Sequence, residues 1–186
     1  TSDSWTATVA GTYYFRAVFA ETDEFYGSES GDTEEPLIVE DTYMDETVWA
    51  KLIDSNGAED PNAIGFKGTG NWGWYNGPLE KDNTYEFEIW AGAAKNDTSK
   101  GMLVGTLTVE YDIDGMVSWE LDLDDGIVAD NGAHIYISDL SDGGDADAPS
   151  FPKDFDNYDL DDEAGPFDGP IYFAYHSSVM VPMSMY

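Results

Sequence analysis

Apolar and polar residues alternate with a period of two along several stretches of this chain, which is typical of β-strands. The clearest pair covers residues 84–92 (TYEFEIWAG) and 102–111 (MLVGTLTVEY). In the second stretch, one face is expected to carry Leu103, Gly105, Leu107 and Val109. The two stretches are separated by GAAKNDTSKG, which is too long for a two-residue hairpin turn. We therefore expect two central strands joined by a longer loop.

The same alternation predicts further strands at residues 5–20, 37–39, 47–53, 64–67, 116–123, 133–138 and 170–181. NWGWYNG, residues 71–77, is interpreted as an aromatic loop, and DIDG, residues 112–115, as a hairpin turn. No long stretch has helical periodicity. The predicted fold is all-β: an antiparallel two-sheet β-sandwich, jelly-roll-like, with long acidic loops.

The length of 186 residues suits a single domain. Within it we expect three parts. Residues 1–45 form an extension with N-terminal strands, residues 46–179 form the main module, and residues 180–186 form a Met-rich tail.

The charge balance is extreme: 39 acidic residues against 7 Lys and Arg give a formal net charge of −32. Nucleic acid and anionic membrane surfaces are therefore poor partners, because both require clustered basic residues. No apolar run is long enough for a transmembrane helix. The acidity has two compatible explanations, a surface adapted to high salt or the binding of Ca²⁺ through carboxylates. Arg16, the only arginine, is expected to pair with a carboxylate.

Candidate Ca²⁺ ligands fall into two groups, since Ca²⁺ takes six to eight oxygens. Those in the long loop 139–169 are Asp139, Asp142, Asp145, Asp156, Asn157, Asp159 and Asp161. Those at turns are Asp112, Asp114, Asp122, Asp124 and Asp125. The spacing of an EF-hand is absent, and a solvated acidic loop is the competing interpretation.

Other side chains carry two interpretations each. Trp72, Trp74 and Tyr75 could stack on a sugar ring or anchor the core. His134 and His176, the only histidines, lie on strands that could be neighbours; they suit either a transition metal or hydrogen bonding in a core. The absence of cysteine excludes disulfides and thiolate sites.

No catalytic motif is present, so we expect no enzyme. Asn96-Asp97-Thr98 matches an N-glycosylation acceptor.

Four segments carry a resemblance: NWGWYNGPL, TYEFEIWAGAAKNDTSKGMLVGTLTVEYD, HIYIS and GPIYFAYHSSV. Over residues 46–179 the chain resembles secreted β-rich modules of microbial surface, anchor and matrix-type proteins. The part at residues 97–106, DTSKGMLVGT, is the most specific. The resemblance implies a secreted β-sandwich without established catalysis. The chain departs from it in residues 1–45, in the acidic loop and in the C-terminal tail.

These features lead to an expected function. The chain starts at Thr1 without a leader, as a mature secreted protein or a trimmed chain would. We expect an extracellular or cell-surface structural protein that assembles with copies of itself into a filament, tube or surface layer, with Ca²⁺ as the cofactor. Strand addition between copies would use Trp5, Val9, Tyr14 and Val18. The alternatives are a carbohydrate-binding module that binds glycans and a salt-adapted acidic soluble domain.

Overall fold

The computed structural model describes residues 10–24, 26–31, 36–40, 42–66, 72–129, 132–139 and 158–186. Over these residues the fold is all-β, and no α-helix occurs in them. The strands are β1 (Gly11–Tyr14), β2 (Val18–Phe19), β3 (Ser28–Glu29), β4 (Pro36–Val39), β5 (Tyr43–Leu52), β6 (Ala63–Gly65), β7 (Trp74–Leu79), β8 (Asn83–Ala91), β9 (Met102–Tyr111), β10 (Val117–Leu123), β11 (Val128–Ala129), β12 (His134–Asp139) and β13 (Ile171–Pro182). Short 3₁₀ turns cover Ala94–Asn96, Thr98–Lys100 and Met183–Met185.

Nine strands form one antiparallel sheet. Seven follow the order β10-β9-β8-β5-β13-β7-β6, and β11 and β12 also pair with β13. β13 is the hub, because Ile171 and Phe173 pair with β7 on one edge and with β12 on the other.

The sheet folds over onto itself. Four inter-strand steps separate β10 from β13 in the strand order, which in a flat sheet would be about 19 Å at ~4.8 Å per strand. The ring centroids of Trp119 on β10 and Phe173 on β13 are only 6.1 Å apart. Phe87 on β8 also reaches Phe173, at 5.6 Å. The result is two layers of strands packed face to face, a β-sandwich, which confirms the predicted fold class. The jelly-roll topology stays a prediction.

The space between the layers holds the larger hydrophobic core, called here the inner core. Its members come from seven of the nine strands and from Ala164, because alternate residues of each strand face inward. They are Val48, Ala50, Leu52, Leu79, Phe87, Ile89, Ala91, Val104, Leu107, Val109, Tyr111, Val117, Ile135, Ile137, Ala164, Ile171, Phe173, Tyr175, Val179 and Val181.

Residues 158–164 close the sandwich at one side. Ala164 bridges Val117 of β10, and Tyr158 bridges Ile135 of β12. The indole Nε1 of Trp119 donates to the backbone oxygen of Leu160 at 3.0 Å. One short segment therefore covers backbone at the outer edges of both β10 and β12.

Asn76 on β7 is a fully buried polar residue that ties three strands together. Its Oδ1 accepts from the backbone nitrogen of Leu52 at 2.9 Å. Its Nδ2 donates to the carbonyls of Ala50, at 3.1 Å, and Phe173, at 3.3 Å. The side chain thus satisfies backbone groups of β5 and β13 inside the core, where an unmade hydrogen bond is costly.

The chain divides into two compact units. The sheet unit is Asp45–Val181, and the N-terminal unit is Thr1–Met44 with Pro182–Tyr186. The boundary after Met44 lies next to the end of the extension expected from the sequence. Within the N-terminal unit, the backbone nitrogen of Met183 donates to the carbonyl of Thr42 at 2.7 Å. The C-terminal tail and the N-terminal extension therefore belong to the same unit.

The N-terminal unit contains two short antiparallel strand pairs, β1 with β4 and β2 with β3, called here together the ribbon. The β2–β3 pair lies between β1 and β4 in sequence order. Arg16 and Glu29 form an ion pair at 3.1 Å beside the β2–β3 pair, as expected for the lone arginine. Among the described residues, no third strand pairs with the ribbon.

Several predicted elements are confirmed. Residues 84–92 and 102–111 correspond to β8 and β9, which are neighbours in the sheet. The turn at residues 112–115 joins β9 to β10, with Met116 N donating to the Asp112 carboxylate at 2.7 Å.

Three expectations were wrong. Residues 74–79 are a paired strand, β7, and not a loop. The alternation over residues 5–20 predicts a nearly continuous strand, but the described part of this range holds two short strands, β1 and β2. Leu103 is exposed and Val104 is buried, because the register shift opposite Ile89 and Trp90 reverses the alternation of β9 at that point.

We predict that Asn76→Leu, which keeps the side-chain size but removes all three hydrogen bonds, lowers the free energy of unfolding by about 3 kcal/mol or more. Chemical denaturation at constant salt measures it. The matched control is Asn56→Leu in an exposed turn, where the asparagine side chain serves no buried strand. Equal stability losses in the two variants would contradict the proposed role of Asn76.

Candidate functional site

The second buried cluster lies on the opposite face of the sheet from the inner core and is called here the aromatic cluster. Its buried members are Trp49, Phe66, Trp74, Tyr75, Ala93, Tyr172 and Ala174, with Ala63, Ile64, Trp72, Trp90 and Tyr136 partly buried. The alternation of β5 and β13 explains it, since Val48 and Ala50 face the inner core while Trp49 between them faces the other way.

Trp49 is at the centre of this cluster. Its ring is 5.3 Å from Phe66 and 4.5 Å from His176, measured between centroids. Gly73, at a φ of 138°, passes directly over the indole, and a Cβ there would collide with the ring. The glycine between Trp72 and Trp74 is therefore a packing requirement of the buried Trp49.

Lys51 is a buried cation at the edge of the aromatic cluster. Its ammonium forms an ion pair with Glu59 at 3.1 Å and lies 5.5 Å from the ring centroid of Trp74. Through this ion pair, Lys51 links the turn that ends at Glu59 to the face of the sheet.

The burial of two rings contradicts their interpretation as a sugar platform. Trp74 is 2% exposed and Tyr75 is fully buried, so neither presents a face for stacking. Trp72 is partly buried and packs edge-on against Trp74, with centroids 5.9 Å apart. The motif that suggested a carbohydrate site thus supplies the core of the aromatic cluster.

The two histidines are directly opposite each other on β12 and β13. Their rings stack with centroids 5.7 Å apart and planes 22° apart. The sequence allowed these strands to be neighbours, and the structure confirms it. Burial, and secondarily the neighbouring His134, lower the pKa of His176 to about 4. This imidazole is therefore neutral at physiological pH.

Among the described residues, no group of three or more acidic or histidine side chains is arranged to hold a metal ion. Asp112 accepts a turn hydrogen bond, and Asp114, Asp122, Asp124, Asp125, Asp159 and Asp161 are exposed. Asp139 is the last residue of β12. Asp142, Asp145, Asp156 and Asn157 lie outside the described residues.

In the loop between β8 and β9, the Asp97 side chain makes a hydrogen bond and an ion pair with its neighbours. Its carboxylate accepts from Ser99 Oγ at 2.6 Å and pairs with the Lys100 ammonium at 2.7 Å. Lys100 first and Ser99 second hold the pKa of Asp97 at about 2.

Asn96, the residue that glycosylation would modify, accepts from the Gly73 nitrogen through its Oδ1 at 2.6 Å and packs against Gly65. The amide is thus engaged in packing, which argues against glycosylation of the folded chain.

The surface of the described residues also carries many large apolar side chains. Fourteen large hydrophobic side chains are exposed among the described residues, and all but Leu103, Ile113 and Val128 belong to the N-terminal unit. Two of the residues predicted to mediate assembly are among them, Tyr14 and Val18. Trp5 and Val9 lie outside the described residues.

No protein family, curated protein or solved structure matches this chain. The resemblance to secreted microbial modules is therefore an untested expectation. In the part of the chain that the structure describes, no helix has the length and apolar character to cross a membrane.

We predict that Lys100→Met raises the pKa of Asp97 from about 2 toward its ordinary value of 3.8, because the largest cause of the lowering is lost. NMR titration of the carboxyl carbon measures it. The control is Lys95→Met in the same loop, which should leave the value near 2. An unchanged value in Lys100→Met would contradict the observed pairing.

We also predict that His176 makes stability depend on pH. Between its ordinary pKa of 6.5 and about 4, the unfolded chain binds a proton that the folded chain does not. The free energy of unfolding therefore falls as pH falls through this window. The contribution is on the order of 2 kcal/mol after allowance for partial exposure.

Denaturation of wild type and His176→Gln at neutral pH and near pH 4 isolates this contribution from the shared carboxylate titrations. In His134→Gln the pKa of His176 should rise but stay below its ordinary value, because burial is the larger cause. Parallel pH profiles for wild type and His176→Gln would refute the prediction.

Proposed function

We propose that this protein is a non-enzymatic extracellular structural subunit that assembles with copies of itself through its N-terminal unit. The observation that carries the proposal is the concentration of exposed apolar side chains in that unit. They are Tyr14, Phe15, Val18, Tyr26, Leu37, Ile38, Tyr43, Met44, Met183, Met185 and Tyr186. An apolar surface of this kind on a soluble protein is typical of an interface.

The ribbon adds a second reason. β1 (GTYY) and β4 (PLIV) contain no charged residue, although the chain carries 39 acidic ones. Tyr14 and Ile38 lie on one face of this pair, while Tyr13 and Leu37 lie on the other. A two-stranded ribbon is marginally stable in water unless it packs against more structure. A second copy would add strands at the edges of the ribbon, and packing of its apolar side chains on the ribbon would cover the exposed faces.

The sheet unit offers less opportunity for strand addition. Residues 158–164 bridge to the outer edges of β10 and β12, and Glu120 and Asp122 place exposed charges on β10. Covered and charged edges oppose pairing with another sheet. We therefore propose that strand addition between copies uses the ribbon.

The C-terminal tail extends the same surface. Pro182–Tyr186 carries no charge, and Met183, Met185 and Tyr186 are all exposed. Flexible methionine side chains adapt to a partner surface with little strain. The hydrogen bond from Met183 to Thr42 places the start of the tail beside the N-terminal extension.

Charge opposes assembly, because each copy carries −32. Salt reduces this repulsion by shortening the Debye length to about 3 Å at 1 M. Ca²⁺ would act differently, by bridging carboxylates of neighbouring copies. We propose that Ca²⁺ stabilises the assembly in this way, with the acidic turns and the 139–169 loop as its source of oxygen ligands.

A second candidate function is a salt-adapted acidic domain that remains monomeric. The exposed Glu86, Glu110, Glu120 and Asp122 on β8, β9 and β10 favour it, because they give the sheet a solvated acidic face. This candidate predicts a monomer at every salt concentration.

Sedimentation velocity and electron microscopy of the full chain across a salt series distinguish the two functions. We predict that the wild type forms growing oligomers as salt rises, and that Ca²⁺ at matched ionic strength promotes them further. Ile38→Glu should remain monomeric, because it places a charge on the apolar ribbon.

Ile113→Glu is the matched control. Ile113 is 67% exposed and Ile38 is 65% exposed, but Ile113 lies at a turn of the sheet unit. The control should assemble like the wild type. A monomeric wild type in all conditions, or equal behaviour of the two variants, would overturn the proposal. Assembly that responds to salt but not to Ca²⁺ would remove only the Ca²⁺ part.

A further inference from the structure

The histidine pair brings two metal-ligating side chains together on adjacent strands. His134 and His176 are directly opposite on adjacent antiparallel strands, where Cβ atoms are about 5 Å apart. Their imidazole rings are stacked, with centroids 5.7 Å apart and planes 22° apart. No other histidine and no cysteine occurs in the chain, so all of its nitrogen and sulfur ligands of this class are gathered at one point.

Neighbouring side chains restrict the His176 ring, and both histidines remain partly accessible to solvent. The indole of Trp49 packs 4.5 Å from His176 and limits its movement. Both histidines are only partly buried, so an ion can approach them. Two nitrogens bound at 2.0–2.1 Å to one tetrahedral Zn²⁺ are roughly 3.3 Å apart. Metal binding would therefore require the stacked rings to turn, so that one nitrogen of each approaches that separation.

We propose that His134 and His176 together bind a borderline transition-metal cation such as Zn²⁺, Ni²⁺ or Cu²⁺, with water completing the coordination. Imidazole nitrogen selects these ions, whereas Ca²⁺ prefers oxygen. Each ring uses one nitrogen for the metal, and its other nitrogen stays available to a hydrogen-bond partner. The strongly negative surface concentrates cations around the protein and supports their capture.

The site is independent of self-assembly, because it lies on β12 and β13 of the sheet unit. Its consequence is local: a bound metal links these two strands beside Trp49. A chain with two nitrogen ligands and open coordination positions can also accept a further ligand from solution.

The test uses full-length protein labelled with ¹⁵N at histidine, which gives two imidazole spin systems. Zn²⁺ is titrated at neutral pH in an excess of Ca²⁺, which occupies the surface carboxylates. We expect both imidazoles to shift together and to saturate at one Zn²⁺ per chain. Cu²⁺ should quench part of the tryptophan fluorescence at the same stoichiometry, because Trp49 contacts His176.

Two variants sharpen the result. His134→Gln should weaken Zn²⁺ binding by roughly tenfold or more. Tyr136→Phe, two residues along the same strand and on the same face, should bind like the wild type. Wild-type affinity in His134→Gln, a shift of one imidazole only, or shifts that never saturate would each overturn the proposal. The wild-type titration decides the question even if a variant fails to fold.

Discussion

The fold depends on the closure of one antiparallel sheet over its own apolar face. Phe173 on β13 makes this visible, since it contacts Phe87 and Trp119 from strands two and four steps away in the sheet. The hydrophobic effect favours this contact, because a flat sheet would leave the apolar side chains of that face in water. Closure in turn requires the buried polar groups to be paired, and Asn76 does this between β5, β7 and β13.

The two units differ in how far they bury their hydrophobic side chains. The sheet unit buries two clusters, one on each face of its strands. In the N-terminal unit, among the described residues, no hydrophobic side chain belongs to either cluster, and many large ones are exposed. Large apolar side chains are costly to leave in water. A partner that covers them would remove this cost, which is why we propose a second copy of the chain as that partner.

The aromatic cluster contains a sequence motif that could have formed an exposed binding surface but is buried in the structure. Trp74 and Tyr75 are flanked by glycine, asparagine and proline, a composition typical of loops. They nevertheless form a strand, because β13 and β6 pair with it and because Trp49 needs the space that Gly73 leaves. The histidine pair lies on the same face, and burial there, rather than any sequence motif, lowers the pKa of His176.

Periodicity alone determined the all-β class and the strands β8, β9 and β10, because a two-residue period is a local property of the chain. The Asp-Gly sequence likewise determined the turn at residues 112–115. The extreme charge and the pairing of Arg16 with a carboxylate were also readable from composition. Only the tertiary structure decided that residues 74–79 form a strand, that Leu103 turns outward and that His134 meets His176. Each of these depends on which strands become neighbours and in what register, and those contacts join residues far apart in the sequence.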